Sequence, residues 1–316
     1  MKSNAAWDAK YKIPLIAVAG PTGVGKTAVG IFLAERLDGE IVNFDSVQVY
    51  RYLDIGSAKP TPEERRRVPH HLVDFLEPSE AFNAAEFVAR ADEVIATLYA
   101  RGKQPILVGG TGLYLKALLH GLFEVGDVSF VREKLQARLQ KEGLEALYAE
   151  LKRVDPETAT KVPPRDRVRI LRALEVYYAT GRPFSALARE HAFVPRRYPC
   201  LKIGLTLPRE ELYRRLDLRV EAMLRAGLLE EVKGLLKKGF SPELKPLQAI
   251  GYRQLIAYLQ GEISYEEAVR LIKRDTRRYA KRQLTWFRAD PEIRWFHPQE
   301  KEKILQECRR FLRRGV

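Results

Sequence analysis

The chain has 316 residues and a formal net charge of +14. Its length exceeds a usual single domain, so one large core plus an insertion or second lobe is expected. The hydrophobic share of 46% is ample for a core, the longest apolar runs are strand-sized rather than membrane-spanning, and two cysteines are too few for a disulfide framework or zinc site. With no apolar leader in "MKSNAAWDAKYKIP", a cytoplasmic protein without a membrane partner is expected. The charge excess has two readings, an arginine-rich surface of heat-adapted type or a polyanionic partner. Nucleic acid is the commonest such partner.

In chain order, "KIPLIAVAG" reads as a short apolar strand ending in glycine, and "TAVGIFLAERLDG" behind it has helical spacing. Between them Gly20, Pro21, Thr22, Gly23, Val24, Gly25, Lys26 and Thr27 fit G-x-x-x-x-G-K-[ST], in the strand–loop–helix context that a P-loop needs. "GEIVNFDS" is a second strand running to Asp45. "NAAEFVARADEVIATLYARGK" is an amphipathic helix with Phe87, Ala91, Val94, Ile95 and Leu98 on one face. "QPILVGGTGLY" is a third strand entering a second glycine turn. Strands alternating with helices predict an α/β fold, a P-loop NTPase-like doubly wound parallel sheet whose ligands sit at the carboxyl ends of the strands.

Beyond about Gly121 the pattern is almost purely helical, until "CLKIGLTL" restores a strand signal. The expected division is a first part of the α/β core over residues 12–122, an inserted helical domain over 123–197, the second part of the core with a basic helix over 198–300, and a tail helix over 301–316.

The P-loop recognises a diphosphate rather than a nucleoside. Its glycines turn backbone N–H groups into one cavity, the helix adds its positive end, Lys26 reaches the outer phosphates, and Thr27 offers a hydroxyl to Mg²⁺. The third strand ends in glycines where an ATPase would carry its Mg²⁺-binding acid. The acid on offer is Asp45, open to two readings, a turn former or a base taking a proton from a nucleophile.

The segment "RLIKRDTRRYAKRQLTWFR" places Arg270, Arg274, Arg278 and Arg282 in one helical row and Lys273, Arg277 and Lys281 in the next. Only Asp275 is locally available to pair. Such a face is either solvated or meets a polyanion. Gln283, Trp286 and Phe287 at its end either belong to the core or meet bases. Arg165, Arg167, Arg169 and Arg172 form a second cluster in the insertion, and two basic surfaces suggest a clamp around a polyanion.

At this point the sequence resembles the tRNA dimethylallyltransferase (tRNA isopentenyltransferase) family. The stretches that carry the resemblance are "GPTGVGKT", "FDSVQVYRYLDIGSAKPT", "HHLVD", "LVGGTGLYLKALL", "RALEVYYATG", "AIGYRQL" and "TRRYAKRQLTWFR", in order over about residues 14–290. Gly23-Val24 stands where the family's P-loop often has Ala-Ser, and no cysteine–histidine zinc module follows, so the resemblance is to bacterial-type members.

The resemblance implies that the P-loop holds the diphosphate of dimethylallyl diphosphate, and that the acceptor is the exocyclic amine of adenosine at tRNA position 37. By resemblance Asp45 is the general base, Lys26 and Thr27 hold diphosphate and Mg²⁺, Arg219 reaches the diphosphate from the opposite side, and Thr111 approaches the target nucleotide. Asp45, Ser46, Val47 and Gln48 resemble tRNA contacts, as do Val168, Arg169, Ile170, Leu171 and Arg172. So do Leu247, Gln248, Ala249, Ile250, Gly251 and Tyr252, and the run Lys281, Arg282, Gln283, Leu284, Thr285, Trp286, Phe287 and Arg288. A clamp on one tRNA needs no symmetry partner, so a monomer is expected. The rivals are an adenylate isopentenyltransferase, a small-molecule P-loop kinase, and a nucleic-acid-binding switch without transferase activity.

Overall fold

The computed structural model describes residues 13–123, 125–191 and 197–313. The apolar runs become strands β1 (Leu15–Ala19), β2 (Gly39–Asn43), β3 (His70–His71), β4 (Gln104–Gly109), β5 (Cys200–Leu205) and β6 (Arg294–Phe296), in the order β3-β2-β4-β1-β5-β6. Every pairing is parallel, with Ile16 of β1 opposite Ile106 of β4 and Leu201 of β5. A parallel sheet is covered on both faces, so its central strands are apolar throughout rather than alternating. All of "LIAVA" in β1 is accordingly buried. The pleat sends Leu15, Ala17 and Ala19 into one apolar cluster and Ile16 and Val18 into the other. β3 and β6 are additions to the sequence reading. At two and three residues they are too short for a periodic signal.

The first helices are α1 (Lys26–Arg36), α2 (Pro62–Arg67), α3 (Ala84–Ala100) and α4 (Gly112–His120). Asn83 starts α3, its side chain accepting from the N–H groups of Ala85 and Glu86 while Glu86 closes the capping box. The expected apolar face of that helix buries Phe87, Ala91, Ile95 and Leu98, with Val94 partly buried beside them.

The chain divides into two compact units, Met1–Leu119 with Arg196–Val316, and His120–Pro195, where the change of sequence texture suggests 123–197. The smaller unit contains α5 (Ser129–Val154, broken at Gly143), α6 (Pro156–Lys161), α7 (Arg167–Thr180) and α8 (Phe184–His191), around Leu135, Leu147, Leu151, Ile170 and Leu174. The larger unit continues with α9 (Arg209–Arg225), α10 (Leu228–Lys237), α11 (Tyr252–Leu259), α12 (Tyr265–Arg288) and α13 (Lys301–Arg313). α13 buries Ile304, Leu305 and Cys308 in the cluster that holds Val29 and Leu33 of α1. No described helix is long and apolar enough to cross a membrane.

Asp155 is the polar knot of the smaller unit. It is 1% exposed, and its carboxylate accepts from Thr158 N at 3.0 Å, Thr158 Oγ1 at 2.7 Å and Ser185 N at 2.9 Å. One side chain thereby caps α6 and ties in α8. Removing it strands buried donors, and Asp155→Ala is expected to destabilise the protein by about 2–3 kcal/mol. Urea unfolding followed by circular dichroism measures this, and an unchanged midpoint would refute the role.

Candidate active site

The P-loop joins β1 to α1 at the carboxyl end of the sheet. No side chain caps the start of α1, so its first N–H groups are unclaimed by a capping residue and suit an anion. Thr22, Gly23, Gly25, Lys26 and Thr27 line a cleft of about 710 Å³ within the larger unit, whereas Gly20, Pro21 and Val24 do not line it. Lys26 Nζ donates to Pro21 O at 2.9 Å, inside the loop. Burial lowers its pKa to about 8, with Arg219 pushing the same way and Asp45 opposing.

Asp45 lies just past the end of β2 and lines the same cleft. Its Oδ1 accepts from Val47 N at 2.8 Å and Gln48 N at 3.3 Å. Oδ2 takes no hydrogen bond among the described residues. The turn reading accounts for Oδ1, and Oδ2 is left without a hydrogen-bond partner among the described residues. Ser46, Val47 and Gln48 line the cleft too. Thr111, expected near a nucleotide, is not part of the lining. Its hydroxyl oxygen accepts from Ser46 N at 3.2 Å, next to Asp45.

Arg219 of α9 also lines the cleft, and among the described residues its guanidinium has no hydrogen bond or ion pair. Burial lowers its pKa, against the pull of Asp45 and Glu64. Lys26, Arg219 and Arg282, none with a carboxylate salt bridge among the described residues, thus share the cleft with Asp45 and Glu64.

The third wall is α12. Ile272, Thr276, Tyr279 and Gln283 fall at helical spacing and all line the cleft. Gln283 is 5% exposed; its Oε1 accepts from Thr22 N at 2.8 Å and its Nε2 donates to Gly110 O at 2.9 Å. It bolts the P-loop to the glycine turn after β4. Sequence reasoning misses Tyr279, although its stripe lies between the arginine rows and is visible as a periodicity. Burial, with Asp45 adding, raises its phenol pKa, so it stays a neutral donor.

Asp275, the acid expected to pair locally, does so with Arg274, but it is not the only acid that balances α12. Lys273 pairs with Glu221 at 2.6 Å and Arg277 with Asp217 at 2.7 Å, both acids on α9, while Arg270 pairs with Glu267 and Arg274 with Asp275. Lys281, Arg282 and Arg288 have no ion pair among the described residues, and Arg282 stacks over the Tyr279 ring at 5.7 Å while lining the cleft. Lys281, Thr285, Trp286 and Arg288 are exposed and Leu284 is half-buried.

Several expected tRNA-facing side chains are core instead. Leu247 and Tyr252 are fully buried, Phe287 is 2% exposed, and Gln248, Ala249, Ile250 and Gly251 between the first two are what lines the cleft. In the smaller unit Ile170 and Leu171 are buried, while Val168 is 77% exposed. There Arg169 and Arg172 are engaged by Asp166 and Glu175. The apolar members of each segment hold its polar members in place.

A family model described as IPP transferase matches residues 48–290. The tRNA dimethylallyltransferase of Syntrophobacter fumaroxidans is 56% identical over 289 residues, 91% of this chain and 84% of that protein. The chain belongs to the IPP transferase family. Among solved structures, the full-length tRNA isopentenylpyrophosphate transferase of Bacillus halodurans is 40% identical with a TM-score of 0.72, over 96% of this chain and 98% of that one. A eukaryotic dimethylallyltransferase acting on tRNA has a TM-score of 0.75 and 34% identity, over 87% of this chain and 69% of that one.

The expected role of Lys26 in holding a diphosphate can be tested through its protonation state. Affinity for an alkyl diphosphate is expected to fall as pH rises through about 8, where Lys26 loses its proton. In Lys26→Met the same titration, read by calorimetry between about pH 7 and 9, should be weaker and flat. A wild-type profile equally flat would remove Lys26 from diphosphate binding.

Proposed function

We propose that this chain transfers the dimethylallyl group of dimethylallyl diphosphate to the exocyclic amine of adenosine 37 in tRNA, giving N6-isopentenyladenosine and diphosphate. The observation that carries this reading is one cleft lined by the P-loop, by Lys26 and Arg219, which have no ion pair among the described residues, and by Asp45, whose Oδ2 takes no hydrogen bond there. Family membership supplies the tRNA and the prenyl group.

In the proposed reaction the allylic C–O bond breaks and its electron pair leaves with the diphosphate. The new bond forms between the adenine amine nitrogen and the terminal allylic carbon, and a proton of that amine passes to Asp45 Oδ2. Lys26, Arg219 and the P-loop N–H groups neutralise the charge that accumulates on the leaving oxygen, in a site with little competing water. The amine is a poor nucleophile because its lone pair is delocalised into the ring, so a base that takes its proton as the bond forms raises its reactivity. The adenosine has to leave its stack to reach a cleft of this depth.

Mg²⁺ fits this donor set in one way. No group of three His, Cys, Asp or Glu among the described residues could cage a metal, but Thr27 lines the cleft beside Lys26. A hard cation that keeps its waters and rides on phosphate oxygens needs no more from the protein than the Thr27 hydroxyl and would add positive charge to the leaving group. For tRNA, Lys281, Arg282 and Arg288 offer charge and Trp286 a stacking surface, with Val168 and Arg169 of the smaller unit as a second contact. One tRNA per chain requires no second subunit, and a cytoplasmic monomer follows from this reading.

The direct test incubates the protein with Mg²⁺, dimethylallyl diphosphate and unmodified tRNA, with AMP in a parallel reaction, and seeks isopentenyladenosine by nucleoside mass spectrometry. Product from AMP alone would overturn the tRNA reading. Asp45→Ala should slow transfer by about 10²-fold or more with diphosphate and tRNA affinity nearly intact. Wild-type turnover in that variant would remove Asp45 from the chemistry. Neutralising Lys281 and Arg282 should weaken tRNA binding and lower the slope of log K against log salt by about 0.7–0.9 for each phosphate no longer neutralised. An unchanged slope would make this end of α12 a solvated face.

A further inference from the structure

Asp45 is held by a turn, and the turn is held by a loop with an unusual fastening. Three successive N–H groups, those of Asp54, Ile55 and Gly56, donate to the carboxylate of Glu231, the first two to Oε2 at 3.0 and 2.7 Å and the third to Oε1 at 3.1 Å. The Tyr252 hydroxyl donates to Oε1 as well, at 2.7 Å. Glu231 sits in the first turn of α10, and Tyr252 opens α11 with its ring fully buried. A Cβ on Gly56 would lie 2.5 Å from that ring, so only glycine lets the loop approach. Four donors on one carboxylate use nearly all of its lone pairs, and each bond is strengthened by the charge.

From this anchor a continuous chain of hydrogen bonds leads to Asp45. The residues after the anchored N–H groups, Ser57 and Ala58, turn their carbonyls to Gln48 Nε2, at 3.1 and 3.0 Å. The backbone N–H of Gln48 is in turn a donor to Asp45 Oδ1. Lys59 secures the same loop from within, its buried ammonium donating to Tyr50 O at 2.8 Å and to Asp74 Oδ1 at 2.8 Å. The loop is also cleft wall, since Gly56, Ser57 and Ala58 line it together with Gly251, the neighbour of Tyr252.

We infer that Glu231 is a positioning residue for the reaction: by clamping the N–H groups of residues 54–56 it fixes Gln48 and, through Gln48, the direction of the Asp45 carboxylate. Glu231 does not line the cleft. The inference rests on the reading of Asp45 as the base. Glu231 belongs to a helix 175 residues or more away in sequence from its backbone partners. Nothing near it in the chain marks it as part of the site.

Glu231→Gln is the informative substitution, because its amide NH₂ would face an N–H donor and push the loop away while keeping the side chain's size. With unmodified tRNA and dimethylallyl diphosphate, kcat is expected to fall between about tenfold and a hundredfold, as small displacements of a reacting group do, while the KM for dimethylallyl diphosphate stays within about twofold. Thermal unfolding checks that the variant is folded. If it is not, Glu231→Asp, which keeps the charge on a shorter arm, takes its place with a smaller expected fall.

The decisive comparison is made in single turnover with excess enzyme in the Asp45→Ala background. A residue that acts through Asp45 loses its effect when Asp45 is gone, so the double variant should be no slower than Asp45→Ala alone. The same fold-loss in both backgrounds, or no loss in the single variant, would overturn the inference while leaving Asp45 as the base. Wild-type turnover of Asp45→Ala would overturn the base assignment and this inference with it.

Discussion

The site depends on one side-chain amide. Gln283 accepts from the P-loop at Thr22 and donates to the turn after β4 at Gly110, joining segments 261 and 173 positions away in sequence. An amide is suited to this because it offers both a donor and an acceptor from one planar group. A buried amide is also intolerant of half-measures, since losing either partner strands a polar atom. Once Gln283 is placed, the rest of α12 has no rotational freedom. Tyr279 and Thr276 must face the cleft, and Arg282 must lie at its rim.

That fixed rotation explains how a helix so rich in cations is held stably. Its first half faces α9, whose Asp217 and Glu221 supply the opposite charges at short range. The strong like-charge repulsion expected along isolated rows is relieved there. Beyond Tyr279 the pairing ends among the described residues: Lys281, Arg282 and Arg288 have no ion pair there, and Arg282 lines the cleft. A positive helix end beside a cleft draws anionic ligands toward it. Inside, burial weakens the hold of Lys26 and Arg219 on their protons, so each gains more from meeting an anion than it would in water.

The sequence makes the scaffold readable where physics is local. β1, α1 and the loop between them follow from an apolar run, a helical period and the glycine spacing, and α3 follows from its apolar face and Asn83 cap. Asp45 is open between turn former and base in the sequence because a carboxylate has two oxygens, and only coordinates show that one is used and the other is not. What cannot be read is long-range pairing. Two of the acids that balance α12, Asp217 and Glu221, lie on another helix, and one partner of Gln283 is a backbone amide near the other end of the chain. Resemblance has the same limit in reverse. It marks Leu247, Tyr252, Ile170, Leu171 and Phe287 as parts of functional segments, but a segment that presents polar groups must bury its apolar ones, and these are the buried ones.

The same packing bears on how this P-loop site differs from that of an ATP hydrolase. A hydrolase of this architecture carries a metal-binding acid at the end of a neighbouring strand. In this chain that strand is β4, and it ends at Gly109 and Gly110. A Cβ on Gly109 would lie 2.6 Å from the Phe44 ring, and one on Gly110 would lie 2.3 Å from Gln283 Nε2. No acid can stand at either place without expelling Phe44 from the core or Gln283 from its two hydrogen bonds. The volume where a hydrolase keeps its carboxylate is therefore filled by the bolt that fixes α12. The carboxylate appears instead beyond β2, as Asp45, held by the backbone of its own turn. The exchange moves the acid from the end of β4 to the turn beyond β2. In the proposed reaction this is the exchange required: charge on the leaving diphosphate is met by Lys26 and Arg219, and the only protein group asked to take anything from the nucleophile is Asp45.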